Sequence, residues 1–311
     1  MIFRTFRGRT FPKLMKRILV TGISGFLGWH FARFMPSKYK LIGIFNTNKV
    51  VGGDKRFWEI DITDFEYFHQ FMDQMKPDAI IHTAAMSRPA DCEKYPDLSY
   101  KINVVVPTLM ADYARSNKIP FVFTSSDLVF NGRQGKYHFD DIPDPVNLYG
   151  RQKFEAERRI LSVHPAATIV RLPLLYGFSP HHKNFIEEWS ERLLKGKKVH
   201  AFTDEYRSAL RARDAVKGIV LLLEKKKVGI WHLGGPDKLS RYKMGQLLAK
   251  ELGLSKDLIK GSLIEDKNPF PARPADVTLN SRNTNALGFD PKSMKDALTK
   301  ILPKVLKKLK A

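Results

Sequence analysis

Cysteine is almost absent from this chain of 311 residues; Cys92 is the single one. One thiol excludes an internal disulfide framework and fits a reducing compartment. Cys92 itself reads as a small, half-buried residue. No apolar run reaches the roughly 18 residues that a membrane span requires, and a cytoplasmic location is the expectation. Internal repeats and low-complexity segments are absent. The adjacent histidines His181 and His182 lie in a polar loop without a clear third ligand. No metal site is therefore expected, and both are read as exposed.

Acidic residues are missing from the first 17 positions, where Arg4, Arg7, Arg9, Lys13, Lys16 and Arg17 give +6. Residues 292–311 hold seven lysines against Asp296, another +6 out of a net charge of +21. The positive body charge would draw an anionic ligand such as a nucleotide. No aromatic-rich basic module of an RNA-binding type is visible, so nucleic acid is not the expected partner. Residues 1–14 read as a basic extension, a tail or a non-native start ahead of Met15, with a targeting arm as the alternative. Residues 294–310 place Met294, Leu298, Ile301, Leu302, Val305, Leu306 and Leu309 on one helical stripe opposite lysines. Such a helix is expected to pack on its own domain, with a membrane surface as the alternative. Pro303 should kink it or mark a new start.

Short apolar runs alternate with amphipathic stretches over the first 175 residues. Expected strands are Arg17–Val20, Lys40–Phe45, Phe57–Ile60, Ala79–His82, Phe121–Thr124 and Thr168–Leu172. Expected helices are Gly25–Met35, Phe65–Gln74, Asp97–Asn117 and Tyr149–Ser162. This alternation predicts an α/β fold: a Rossmann-type doubly wound parallel sheet, with ligands at the carboxyl ends of its strands. Beyond about 175 the pattern loosens. Helices are expected at Asn184–Leu194, Ala212–Glu224 and Arg241–Leu252, and strands at Val199–Phe202 and Ile230–Leu233. The organisation expected is a dinucleotide-binding domain over 15–175 and a smaller α/β substrate-binding region over 176–311, part of which returns to the sheet.

The run Thr21-Gly22-Ile23-Ser24-Gly25-Phe26-Leu27-Gly28 follows the first strand and opens the first helix. That is the context a dinucleotide fingerprint requires. Gly22 permits the tight turn, Gly25 lets backbone approach a pyrophosphate, and Gly28 lets helix and strand pack closely. The second strand ends in Phe45-Asn46-Thr47-Asn48-Lys49, without an acid to hold ribose hydroxyls. This favours NADP(H) over NAD(H), with Asn46 and Lys49 at the ribose; a solvated loop lysine is the other reading of Lys49. Asp61-Ile62 can meet an adenine edge, or Asp61 can cap the following helix.

Ten tyrosines are present, and Tyr149 alone has a lysine four residues on, Lys153. On a helix that spacing puts phenol and ammonium on one face. A neighbouring cation favours the phenolate, so Tyr149 is expected to exchange a proton near neutral pH. Ser126, at the carboxyl end of the fifth apolar run, can donate to a carbonyl that Tyr149 protonates; turn chemistry is the bland reading of its hydroxyl-rich run.

Together these residues resemble the extended short-chain dehydrogenase/reductase superfamily, and most closely its dTDP-4-dehydrorhamnose reductase family of sugar-nucleotide-binding proteins. The resemblance spans about Lys16 to Leu298. Besides the glycine turn it includes Ala84-Ala85, Asp91-Cys92-Glu93, Asn103, Ser125 to Gly132, Tyr149 to Lys153, Arg171 to Gly177, His232 to Gly235 and Arg273-Pro274. It implies hydride transfer between a nicotinamide and a sugar carbon, with Ser126, Tyr149 and Lys153 catalytic. It implies Ala84, Ala85 and Asn103 at the cofactor, alongside Ser24, Phe26 and Leu27 of the turn. It implies Met86, Asp127 and Leu128 near a nucleotide-sugar substrate, with Asp127 bracing its loop. Arg207 and Arg211 can clamp a diphosphate, or pair with acids such as Asp204 and Asp214. Homodimers are common in the superfamily. Leu128 departs from a usual tyrosine and Ser126 from a usual threonine. Reduction of a nucleotide-linked 4-keto-sugar is the expected reaction; the alternatives are epimerisation or dehydration on the same residues, or a non-catalytic binding subunit like the family's regulatory subunit of methionine adenosyltransferase.

Overall fold

A computed structural model describes residues 16–46 and 56–310. Lys49 and residues 1–14 lie outside these described residues. Seven parallel strands form the central sheet: β1 Arg17–Thr21, β2 Lys40–Phe45, β3 Phe57–Glu59, β4 Ala79–His82, β5 Phe121–Ser126, β6 Thr168–Leu172 and β7 Gly229–His232. Their spatial order is β7-β6-β5-β4-β1-β2-β3. The order reverses beside β1, which pairs with both β2 and β4. A crevice opens at such a reversal, beyond the strand carboxyl ends.

Strands covered on both faces read as continuous apolar runs. β4, β5 and β6 are buried along their whole length. Alternate strand residues serve opposite faces. Leu19, Ile42, Ile80, Phe121 and Ile169 pack with residues of α2 (Phe65–Met75), α3 (Val106–Ser116) and α4 (Leu148–Val163). Ile18, Leu41, Ile81, Val122 and Val170 pack with Phe31 of α1 (Phe26–Phe34) and with Val216 and Ile219 of α6 (Ala212–Glu224). A third apolar cluster unites α5 (Phe185–Leu194), α7 (Arg241–Glu251) and α8 (Met294–Lys310) into a smaller lobe. Each buried Leu, Ile or Phe in these layers contributes about 1.5–3 kcal/mol.

Two expectations need correction. The stretch expected as one helix over Asp97–Asn117 is Pro96–Tyr100, then a wide π-type turn over Lys101–Val105, then α3. The wide turn holds Asn103, whose side chain is bonded away from its own helix. Secondly, α8 runs unbroken from Met294 to Lys310, so Pro303 does not start a new helix. Its expected apolar stripe is the buried one, with Leu298, Ile301, Leu302 and Val305 all inside. Among the described residues no helix is long and apolar enough to cross a membrane.

Candidate active site

A cleft of about 1090 Å³ runs along the carboxyl ends of the strands, from the glycine turn to the smaller lobe. Its floor begins at Gly22, whose φ of +68° suits glycine alone, and a β-carbon there would lie 2.8 Å from Ala84 Cα. A β-carbon on Gly28 would lie 2.0 Å from Gly22 O, so α1 rests directly on the turn. Gly25 caps α1 without a side-chain hydrogen bond. The first amide groups of that helix are thus left for an anion, which is the fit a dinucleotide pyrophosphate requires. Ser24, Phe26, Leu27, Asn46, Asp61, Ile62, Ala84, Ala85 and Met86 line the same cleft. Asp61 accepts from Thr63 N and Thr63 Oγ1, both at 2.8 Å. The cap of α2 is Asp64, which accepts from Tyr67 N at 3.1 Å.

α4 carries the tyrosine and the lysine singled out in the sequence. Asn147 caps it by accepting from Gly150 N at 2.9 Å. Its buried face includes Tyr149, Lys153, Ala156, Glu157 and Ile160, the i, i+4 stripe of a core-facing helix. Gly150 sets the approach: a β-carbon there would lie 2.1 Å from Leu128 O. Only glycine lets the helix end abut the turn that follows β5. Tyr149 stands close enough to Ser126 for that hydroxyl to act on its phenol. Ser126 Oγ accepts from Leu128 N at 3.1 Å and donates to Asp127 Oδ1 at 3.2 Å.

Burial pushes the Tyr149 phenol above its usual 10, reinforced by Cys92 and Asp127 and opposed by the nearby Ser126 hydroxyl. The expectation that Lys153 draws the phenol down is therefore corrected. Desolvation sets the direction of the shift, and Tyr149 is protonated at neutral pH. Burial lowers Lys153 to about 7, with Glu157 and Cys92 pulling upward. Its Nζ sits 4.1 Å from the centroid of the Phe123 ring. Burial also raises Asp127 to about 6, against the pull of Arg207 and Ser126.

Behind the trio lies a fully buried ion pair. Arg171 Nη2 donates to Glu157 Oε2 at 2.8 Å and Arg171 Nε to Glu157 Oε1 at 3.1 Å. Ser125 Oγ donates to the same carboxylate. Glu157 thereby ties α4 to the strand end bearing Ser126 and to β6. His82 is a second buried group. Thr21 Oγ1 accepts from Thr83 N and Ala84 N, so its own proton goes to His82 Nδ1 at 2.9 Å. The imidazole is then protonated at Nε2, which has no partner. Burial, then Lys153, hold its pKa at about 3, so it stays neutral beside the ammonium.

Several expected site residues stand elsewhere. Asn103 does not line the cleft; its amide is committed to Met86 N at 2.9 Å, Met86 O at 3.1 Å and Gln152 Oε1 at 2.9 Å. It braces the wall. Arg211 is also outside, locked to Asp214 at 2.9 and 2.7 Å. Arg207 does line the cleft with Asp127 and Leu128, but its guanidinium is taken by Glu205 at 3.2 Å and by the carbonyls of Tyr206 and Pro274 at 2.8 and 3.2 Å. Cys92 is fully buried rather than half-buried, with Sγ 3.2 Å from Met86 O. His182 is half-buried, contrary to the expectation of exposure, and its ring bonds to Ser24 O of the glycine turn. Its own loop is held from behind: His182 N donates to Ser179 Oγ at 3.2 Å, and Lys308 of α8 donates to Ser179 O at 3.2 Å. No metal-binding group of three or more ligands occurs among the described residues.

The seven-stranded order, the glycine turn at its reversal and the serine, tyrosine and lysine at its rim define a Rossmann-fold protein of the extended short-chain dehydrogenase/reductase type. Residues 15–307 match the family described as RmlD substrate binding domain, and the chain belongs to that family. It is 28% identical over 285 residues to a probable low-salt glycan biosynthesis reductase, Agl14, of Haloferax volcanii, covering 90% of this chain and 95% of that one. It is 26% identical over 288 residues to methionine adenosyltransferase 2 subunit beta of Rattus norvegicus, covering 88% and 83%. A crystal structure of a hypothetical dTDP-4-dehydrorhamnose reductase from Sulfolobus tokodaii superposes with a TM-score of 0.77 at 28% identity, over 87% of this chain and 94% of that one.

Proposed function

We propose that the protein is an NADP(H)-dependent reductase of a nucleotide-linked 4-keto-sugar. When bound, the nicotinamide supplies the hydride. Tyr149 gives its proton to the sugar oxygen, and Ser126 orients that oxygen by hydrogen bonding. Lys153, poised at about 7, returns a proton to the spent phenolate and steadies its charge. The single observation carrying this reading is the state of Tyr149. It is buried on the face of α4 that carries Lys153, close to Ser126 and protonated at neutral pH, in a cleft continuous with the glycine turn. A group that must donate, rather than accept, needs that state. The acid-free end of β2 supports the phosphorylated cofactor. The reductases among its relatives support the direction of the reaction.

The similarity to methionine adenosyltransferase 2 subunit beta supports a second reading, a cofactor-binding subunit without turnover. One experiment separates them. The purified protein is offered NADPH with a panel of nucleotide 4-keto-sugars, and net NADPH oxidation is followed. Tyr149→Phe should lower kcat by about 10²-fold or more while NADPH affinity is retained. An epimerase or dehydratase would show no net NADPH loss. Binding of NADPH with no oxidation of any panel member, and no effect of Tyr149→Phe on the biological role, would favour the subunit.

A further inference from the structure

Among the described residues, one exposed cation of the cleft has no carboxylate partner. The described cations lining it are Arg88, Lys153, Arg207 and Arg273. Lys153 is buried beside Tyr149. Arg207 faces Glu205 at 3.2 Å and Asp127 at 3.8 Å, and Arg273 shares Glu205 at 3.2 Å. Two arginines and two carboxylates there leave no net charge. Arg211, the other sequence candidate for an anion clamp, is neutralised by Asp214 away from the cleft. Arg88 is exposed, and among the described residues its guanidinium has no hydrogen bond or ion pair.

Arg88 also stands at the reacting end. It follows Met86, whose backbone is pinned by Asn103. It opens the short helix Pro89–Lys94, and Glu93 in that helix accepts from Leu148 N at 3.0 Å, at the start of α4 beside Tyr149. Cys92, in the same short helix, is close enough to raise the Tyr149 phenol. The adenosine end of the cleft, marked by Asn46, Asp61 and Ile62, lies beyond the glycine turn on β2 and β3. We infer that Arg88 receives the anionic, phosphate-bearing part of the substrate, a nucleoside diphosphate moiety, and so helps select nucleotide-linked sugars over free ones. The forked guanidinium suits phosphate oxygens in a way a lysine would not. This inference rests on the proposed reading of the cleft as a sugar-nucleotide site.

The test measures binding of dTDP and UDP to the NADPH-loaded protein by calorimetry, for the wild type, Arg88→Gln and Arg88→Lys. NADPH affinity is measured for all three. Arg88→Gln should weaken the nucleoside diphosphate by about tenfold or more, leave NADPH affinity within about twofold, and keep the wild-type melting temperature. Arg88→Lys should recover part of the loss, and the wild-type affinity should fall with added salt. Equal binding by wild type and Arg88→Gln would overturn the role of Arg88 and leave the reductase reading standing. A loss confined to NADPH would overturn it too, by assigning the charge to the cofactor. A wild type that takes up NADPH but neither dTDP nor UDP would overturn both.

Discussion

Gly150→Ala makes the sharpest demand on the site's construction. Alanine is the better helix former by about 1 kcal/mol, and position 150 lies in the first turn of α4. Propensity alone therefore predicts a more stable protein. The local packing predicts the reverse. The new β-carbon would sit 2.1 Å from Leu128 O and 2.9 Å from Pro145 Cβ. Relief requires the helix end to back away by about 1 Å, and overpacking of that kind costs about 1–3 kcal/mol. Leu128 lies two residues past Ser126 and position 150 one residue past Tyr149, so the shift opens the gap between donor and orienting hydroxyl. A misplacement of about 1 Å in a reacting group can cost about 10²-fold in rate. The expected variant melts lower than wild type by about 2–4 °C per kcal/mol lost, with kcat down far more than NADPH affinity. Thermal unfolding, NADPH titration and turnover of a keto-sugar read these three quantities. A Gly150→Ala protein that melts at or above the wild-type temperature with unchanged kcat would refute the close contact as the device that sets the site.

Lys153 gives a pH signature in the free protein. Its folded value of about 7 lies below the 10.5 of an exposed lysine. Between those values the unfolded chain binds the extra proton, so wild-type stability should rise with pH across that window. Lys153→Met should be the more stable at pH 7 and should lose this rise, as read by urea melts between about pH 7 and 10. Arg211→Gln strands the buried Asp214. It should cost about 3–5 kcal/mol of stability while leaving substrate KM in place. A raised KM without a stability loss would return Arg211 to the substrate.

The sheet was legible because burial on both faces writes itself as uninterrupted apolar runs. Lys40–Phe45, Ala79–His82 and Thr168–Leu172 are read to the residue for this reason. The glycine turn was legible because Gly25 and Gly28 answer backbone contacts within the turn, and Gly22 the turn's own positive φ. Pairing of charges was legible only in part: Arg211 with Asp214, three residues apart, is one of the two alternatives read from the sequence, and the structure has that pair. Nothing along the chain states that Arg207 is spent on Glu205, or that Arg88 is left over, because partners are chosen by tertiary contact. The direction of the Tyr149 shift is hidden for the same cause: spacing reveals a lysine four residues on, but not the depth of burial that raises the phenol. Gly150 carried a usable signal, a glycine directly after the candidate tyrosine at a helix start, where only a close backbone approach gives it purpose. The wide turn at Asn103 left no signal in the apolar periodicity.

The contacts at Ser24 extend the cofactor turn's surroundings to the far end of the chain. His182 bonds Ser24 O, Ser179 holds the His182 amide, and Lys308 grips Ser179 O and Glu187. Three hydrogen bonds thus link the last turn of α8 to the glycine turn. Removing Lys308, or pulling that turn aside, is a change to the mouth of the cleft as much as to the surface.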